Sequence, residues 1–158
     1  MSVEKNIPLL TNLGNCEETK AEIFQGWRGL ATAYSTAIEN LKKGEKVCIL
    51  GAGPGYNEER TKLFFSNYSK ISKDKGLKIM VIFNENARDY VRDMEEELKS
   101  KFNKRFLFKN NPVEIAIAKW FVGIVILKEE PLVIMIKDKE ISKSFEVYFE
   151  ELWKIAKK

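Results

Sequence analysis

The sequence predicts an α/β fold: a mixed sheet, parallel in its first half and antiparallel in its second, flanked by helices. Three observations lead there. The order helix, Lys-rich end, glycine, buried strand occurs twice in succession, over 30–50 and again over 58–83, as parallel strands joined by crossover helices require. From residue 105 the strand-like segments follow one another through connectors too short for such helices. A strongly amphipathic segment from about residue 139 then closes the chain.

Residues 1–20 read as a polar lead-in with a turn at Gly14-Asn15, ahead of a single domain over 21–158. Ala21-Glu22-Ile23-Phe24 reads as a short strand. Gly26-Trp27-Arg28-Gly29 opens a helix running to about Leu41, with Leu30, Tyr34, Ala37, Ile38 and Leu41 near helical spacing. Lys42-Lys43-Gly44 should end it, with cations in the last turn and glycine at the cap. The strand 46–50 follows. Its run Val47-Cys48-Ile49-Leu50 is continuous and apolar, the pattern of a strand covered on both faces.

That strand runs into Gly51-Ala52-Gly53-Pro54-Gly55, a sharp change of direction that glycine makes easy. Asn57 can cap a second helix, with Glu58 and Glu59 in its first turn and Leu63, Phe64, Tyr68 and Ile71 as its buried stripe. Lys73-Asp74-Lys75-Gly76 stops it, and 77–83 is the next apolar strand. Asn84-Glu85-Asn86 caps a third helix, from Ala87 to about Lys101. Strands are then expected over 105–108, 113–118, 121–127 and 132–136, with Lys119-Trp120 a tight turn and the whole half an antiparallel meander. On the closing helix Ile141, Phe145, Tyr148, Phe149, Leu152, Trp153 and Ala156 share one face, which should dock on the sheet rather than on a partner.

A chain of 158 residues suits one domain of ordinary size. With 44% apolar and 32% charged residues it is globular, not disordered. A net charge of +4, with Lys and Glu interspersed, gives nucleic-acid binding little support. Cys16 and Cys48 lie far apart, with neither metal spacing nor a disulfide framework, which suits a reducing cytoplasm. The apolar run Ile7-Pro8-Leu9-Leu10 is too short for a signal-peptide core, and no run reaches transmembrane length. A cytoplasmic protein with no membrane partner is expected.

The chain has no histidine. That closes the Ser-His-Asp triad, the Cys-His dyad, histidine-ligated metals and phosphohistidine intermediates. Catalysis would have to rest on carboxylates, lysines or tyrosines. No metal is expected, no cofactor, and no catalytic residue.

A glycine turn at the carboxyl end of a parallel strand is where open α/β sheets bind ligands, so Gly51, Gly53 and Gly55 are either a cofactor loop or a turn. Methyltransferases use a comparable loop for S-adenosylmethionine, and Glu85 could then hydrogen-bond ribose hydroxyls. Against this, the acidic residue such loops usually carry two places before the first glycine is here Ile49. Glu58 and Glu59 already occupy the helix end a phosphate would need. The antiparallel second half also lacks the alternating helices of that fold. The turn is preferred. Asn84 and Glu85, at the end of the next strand, are candidate polar groups beside it, with a capping turn as the plainer account. Trp27 and Arg28, between two glycines, could hold a ligand or be core and solvated surface respectively.

Taken in order, the motifs Glu22-Ile23-Phe24-Gln25-Gly26-Trp27-Arg28-Gly29, Lys75-Gly76-Leu77-Lys78-Ile79 leading to Phe83-Asn84-Glu85, and Asn111-Pro112-Val113-Glu114-Ile115 carry a family likeness. So do Glu130-Pro131-Leu132-Val133-Ile134, Ile136-Lys137-Asp138-Lys139-Glu140-Ile141, Ser144-Phe145 and Phe149-Glu150-Glu151-Leu152-Trp153. From about residue 22 to the end, the chain resembles the ligand-sensing domain of archaeal transcriptional regulators of the TrmB family. The resemblance implies a phospholipase-D-like fold. Active members of that superfamily use a His-x-Lys motif in the region that here reads Glu114-Ile115-Ala116-Ile117, so covalent phosphodiesterase chemistry is not expected. It also implies a small-molecule effector and a homodimer. The residues before Glu22 are too few for the family's winged helix-turn-helix, and the chain ends before the small β-domain of the sugar-responsive members. Direct DNA binding is therefore not expected; a separate helix-turn-helix regulator is the expected partner. The expected function is a non-enzymatic effector-sensing and dimerisation domain, sought near Trp27, Gly51–Gly55, Asn84 and Glu85. The alternatives are a methyltransferase-like enzyme using the glycine loop, or a purely structural partner of full-length regulators.

Overall fold

The computed structural model describes residues 18–158. The predicted turn at Gly14-Asn15, Cys16 and most of the lead-in over 1–20 lie outside the described residues. The elements are β1 (Lys20–Gln25), α1 (Gly26–Glu39), β2 (Lys46–Ala52), α2 (Glu58–Lys75), β3 (Lys78–Phe83), α3 (Arg88–Leu98), β4 (Lys104–Phe106), β5 (Val113–Ala118), β6 (Phe121–Ile126), β7 (Leu132–Lys137) and α4 (Lys139–Ile155). All seven strands form one sheet in the order β1-β7-β6-β5-β2-β3-β4.

The mixed sheet is as expected, with one shift of boundary. β2, β3 and β4 pair in parallel, and β5, β6, β7 and β1 continue antiparallel from β2. The segment around 105 was expected to open the meander, yet β4 belongs to the parallel half. The helix that ends at Leu98 serves as its crossover.

Strand alternation sends successive side chains to opposite faces. From β2, Val47 joins Leu30, Ala33 and Ala37 of α1, whereas Cys48 and Leu50 meet Phe149 of α4. Val81 and Phe83 of β3 pack with Tyr90, Val91 and Met94 of α3. Phe65 of α2 joins the α1 and α3 cores. So α1, α2 and α3 cover one face, and α4 docks on the other as expected.

Several element details differ. The cap of α1 is Asn40 in a right-handed conformation with no basic residue in the last turn; Gly44, at φ +84°, makes a later turn. In α2 the cap is as predicted, Asn57 accepting from the Arg60 amide at 3.1 Å, but the stripe is rotated. Leu63 is 75% and Ile71 41% exposed, while Thr61 and Ser72 are buried. Small polar residues form part of that buried face, so an apolar count misplaces it. The trio Asn84-Glu85-Asn86 makes no side-chain cap: Glu85–Ala87 is a single 3-10 turn, and Asn86 Nδ2 instead donates to Asn110 Oδ1 at 3.2 Å. α3 stops three residues early, at a left-handed Lys99. On α4, Tyr148 faces solvent at 60% exposure, and Ser142 takes a buried place by donating to the Ala118 carbonyl.

Candidate functional site

The parallel strands β2 and β3 end beside each other, and the connector 107–112 crosses over their carboxyl ends on its way from β4 to β5. The Leu107 amide donates to the Phe83 carbonyl at 3.1 Å, and the Glu85 amide to the Phe108 carbonyl at 2.7 Å. Asn84, 2% exposed, ties the crossing together: Nδ2 donates to Asn111 O at 2.8 Å and Gly51 O at 3.3 Å. Its Oδ1 has no partner among the described residues.

The glycine turn is closely packed by the start of β5, by Leu127 and by Asn84. A Cβ on Gly51, at φ +76°, would lie 2.8 Å from the Val113 carbonyl oxygen; one on Gly55 would lie 2.7 Å from Leu127 Cβ. A Cβ on Gly53 would meet Asn84 Nδ2 at 3.2 Å. Here close packing of backbone requires glycine. Gly51, Gly53 and Asn84 thus lie together as the sequence suggests.

The other candidates are engaged elsewhere. Glu85 is held in a two-pronged pair by Arg88, at 2.6 Å to Nε and 3.2 Å to Nη2, and the hydrogen bond from that guanidinium holds its carboxyl below the usual range. The same guanidinium stands 4.0 Å over the Phe106 ring. Trp27 packs edge-on to Phe64 at 6.0 Å with the Arg60 guanidinium 4.6 Å from its ring centre. Arg28 is exposed.

A cavity of about 480 Å³ opens elsewhere, between the sheet and α1, α2 and α3. Its wall is mainly apolar and aromatic, and of the residues singled out from the sequence it takes in Gly53. Glu114, from the central strand β5, lines it at 4% exposure. Tyr34 of α1 donates its hydroxyl to Glu114 Oε1 at 3.2 Å. The Tyr34 ring is itself held by edge contacts to Phe64 at 5.5 Å and Phe65 at 5.4 Å. Tyr68 also lines the cavity, its hydroxyl donating to Ala31 O at 3.1 Å and accepting from Ser35 Oγ at 2.9 Å.

Burial dominates the electrostatics here. It pushes the Glu114 carboxyl up to about 7, against the opposing hydrogen bond from Tyr34. Burial, and then the Glu114 charge, raise the hydroxyls of Tyr34 and Tyr90. Sequence reasoning passed over this group, although a signal existed: Glu114 is the single acid in the apolar run 113–118. The arrangement can bind a small molecule. Among the described residues no group of three or more His, Cys, Asp or Glu side chains could hold a metal, and no helix is long and apolar enough to cross a membrane.

No protein-family model matches the sequence, and no curated protein matches it. Solved structures do. The archaeal chromatin protein TrmBL2, whose structure is described as showing a novel mode of DNA binding, superposes with a TM-score of 0.63 at 16% identity. That match covers 98% of this chain and 61% of TrmBL2, so the chain spans less than two thirds of that protein's length. Nuc, a phospholipase D family member from Salmonella typhimurium, gives 0.63 at 10% identity over 89% of this chain and 97% of its own. NucT from Helicobacter pylori gives 0.65 at 13% identity over 88% and 98%. The expected phospholipase-D-like fold is thereby borne out.

Proposed function

We propose that the chain is an effector-sensing and dimerisation module with no catalysis of its own, a single domain over 21–158 comparable to the sensing part of TrmB-like regulators. The observation that carries this reading is the cavity of about 480 Å³, of a size suited to a small molecule and apolar apart from a few convergent polar groups led by Glu114. A helical face α1–α3 that closes over such a space can be biased by its occupant. The absence of histidine supports the non-catalytic part, since the phosphodiesterase chemistry of the fold uses one.

Dimerisation has its own support. β1 is an edge strand, and Ile23 on it is 65% exposed. Ile23 continues a cross-strand row through Ile134, Ile124 and Ile115. An exposed edge beside such a row favours a second copy. The partners in this reading are a small effector, a second copy and a separate helix-turn-helix regulator in the cytoplasm; DNA is contacted by that regulator and not by this chain.

A thermal-shift screen against sugars, nucleotides, amines and S-adenosylmethionine tests the reading. At least one small molecule should raise the melting temperature in a saturable way. If nothing does, the purely structural alternative stands. Saturable S-adenosylmethionine binding lost on substitution at Gly53 would favour the methyltransferase-like alternative.

A further inference from the structure

Two glutamates in this protein are equally buried and differently served. Glu95 and Glu114 are each 4% exposed. Glu95 receives Lys104 at 2.5 Å, Lys101 at 3.1 Å and the Phe102 amide at 2.9 Å. Glu114 receives the neutral Tyr34 hydroxyl, and no cation stands beside its carboxyl among the described residues. The lysines that line the same cavity, Lys70, Lys73 and Lys101, lie on its exposed rim. A buried carboxyl left without a cation holds its proton, and it ionises when a cation comes to pair with it.

The walls around this carboxyl are aromatic: Tyr34, Phe65, Tyr68 and Tyr90 line the cavity with it. Tyr34 and Tyr68 stand 5.5 Å apart between ring centres, and Tyr34 and Phe65 5.4 Å. Ring faces attract organic cations, and a carboxylate among them supplies the counter-charge. The remainder of the wall, with Ala37, Leu41, Met94 and Val125, suits an aliphatic body.

We propose that the cavity takes an organic cation: an apolar body ending in a protonated or methylated ammonium group, seated against Glu114 among Tyr34, Tyr68 and Tyr90. This rests on the reading of the cavity as the effector site. The cation would supply what the lysines supply to Glu95.

The test uses calorimetric titration of the full chain with four probes sharing one tail: hexylammonium, hexyltrimethylammonium, 1-hexanol and hexanoate. The cations should bind roughly tenfold or more tighter than 1-hexanol, and hexanoate weakest, as expected of a charge-assisted contact. Glu114→Gln should erase the preference for the cations while leaving 1-hexanol binding in place. Tyr34→Phe, which keeps the carboxyl, should retain the preference and covers the case in which Glu114→Gln does not fold. Equal binding of cation and alcohol, or a preference that survives in folded Glu114→Gln, overturns the proposal and leaves the effector cavity standing. If no probe binds, both fail.

Discussion

The hydroxyl of Tyr34 donates to the carboxyl of Glu114 across 3.2 Å, joining the first helix to the central strand of the sheet. Below that contact lies an acid that no cation among the described residues reaches. The consequences are measurable in stability as well as in binding.

Glu114 should make the fold less stable as pH rises. Its folded value, about 7, stands above the ordinary 4.5, so the native state holds the proton more tightly than the unfolded chain. The stabilising contribution is complete below about 4.5 and is lost as pH climbs through 7, amounting to roughly 3 kcal/mol. The titratable groups that act on it are Tyr34 from α1 and Tyr90 from α3, with Tyr68 from α2 lining the same cavity. Urea unfolding at pH 5 and pH 8, wild type beside Glu114→Gln, isolates this part. The variant should gain relative to wild type at the higher pH; parallel curves would refute the assignment.

Glu95 should behave in the opposite sense. Burial works against its charge, but hydrogen bonds from Lys104, the Phe102 amide and Lys101 outweigh it and hold the carboxyl below the usual range. Its stabilisation is present above the ordinary carboxylate value and fades as pH falls. Of its two lysines, Lys104 is 25% and Lys101 80% exposed. Lys104→Met should therefore cost about 2 kcal/mol, and Lys101→Met less than about 1 kcal/mol, in denaturant midpoints. Equal losses would contradict the burial argument.

Two glycines with the same backbone hand should respond differently to alanine. Gly51 faces the Val113 carbonyl, whereas a Cβ on Gly44, at φ +84°, meets nothing within 4 Å. Gly44→Ala carries backbone strain of about 1 kcal/mol, and Gly51→Ala that strain plus a clash, roughly 2 kcal/mol or more. A Gly51→Ala protein as stable as Gly44→Ala would mean that the Val113 carbonyl at the start of β5 gives way to the new Cβ.

Ile23→Lys should convert a dimer to a monomer in sedimentation velocity with little change in melting temperature, because the side chain is exposed on an edge strand. A wild-type monomer at tens of micromolar would remove dimerisation from the proposed function.

Much of the fold was legible because local chemistry and topology agree. Asn57, Glu58 and Glu59 mark a helix start, and the run Val47–Leu50 marks a strand buried on both faces. The glycine corner was legible as a turn. What surrounds it was not: the Asn84 side-chain amide donates to Gly51 O and to Asn111 O of the connector 107–112, residues far apart in sequence, and no local pattern encodes that. For the same reason β4 was misassigned, since three residues carry no sign of which neighbour they pair with. The cavity was hidden differently. It is assembled from three helices and five strands, and its walls at Tyr34, Tyr68 and Tyr90 read one by one as ordinary core. Glu114 alone broke an apolar pattern.

The most direct measurement of the central claim is an amide correlation spectrum of the full chain titrated with 1-hexanol, which probes the cavity irrespective of charge. Saturable shifts should concentrate on Tyr34, Tyr68, Ser72, Tyr90, Met94 and Glu114, which line it. Shifts that never saturate, or that gather at Gly51, Gly55 and Glu85 instead, would contradict a binding cavity beneath the three helices.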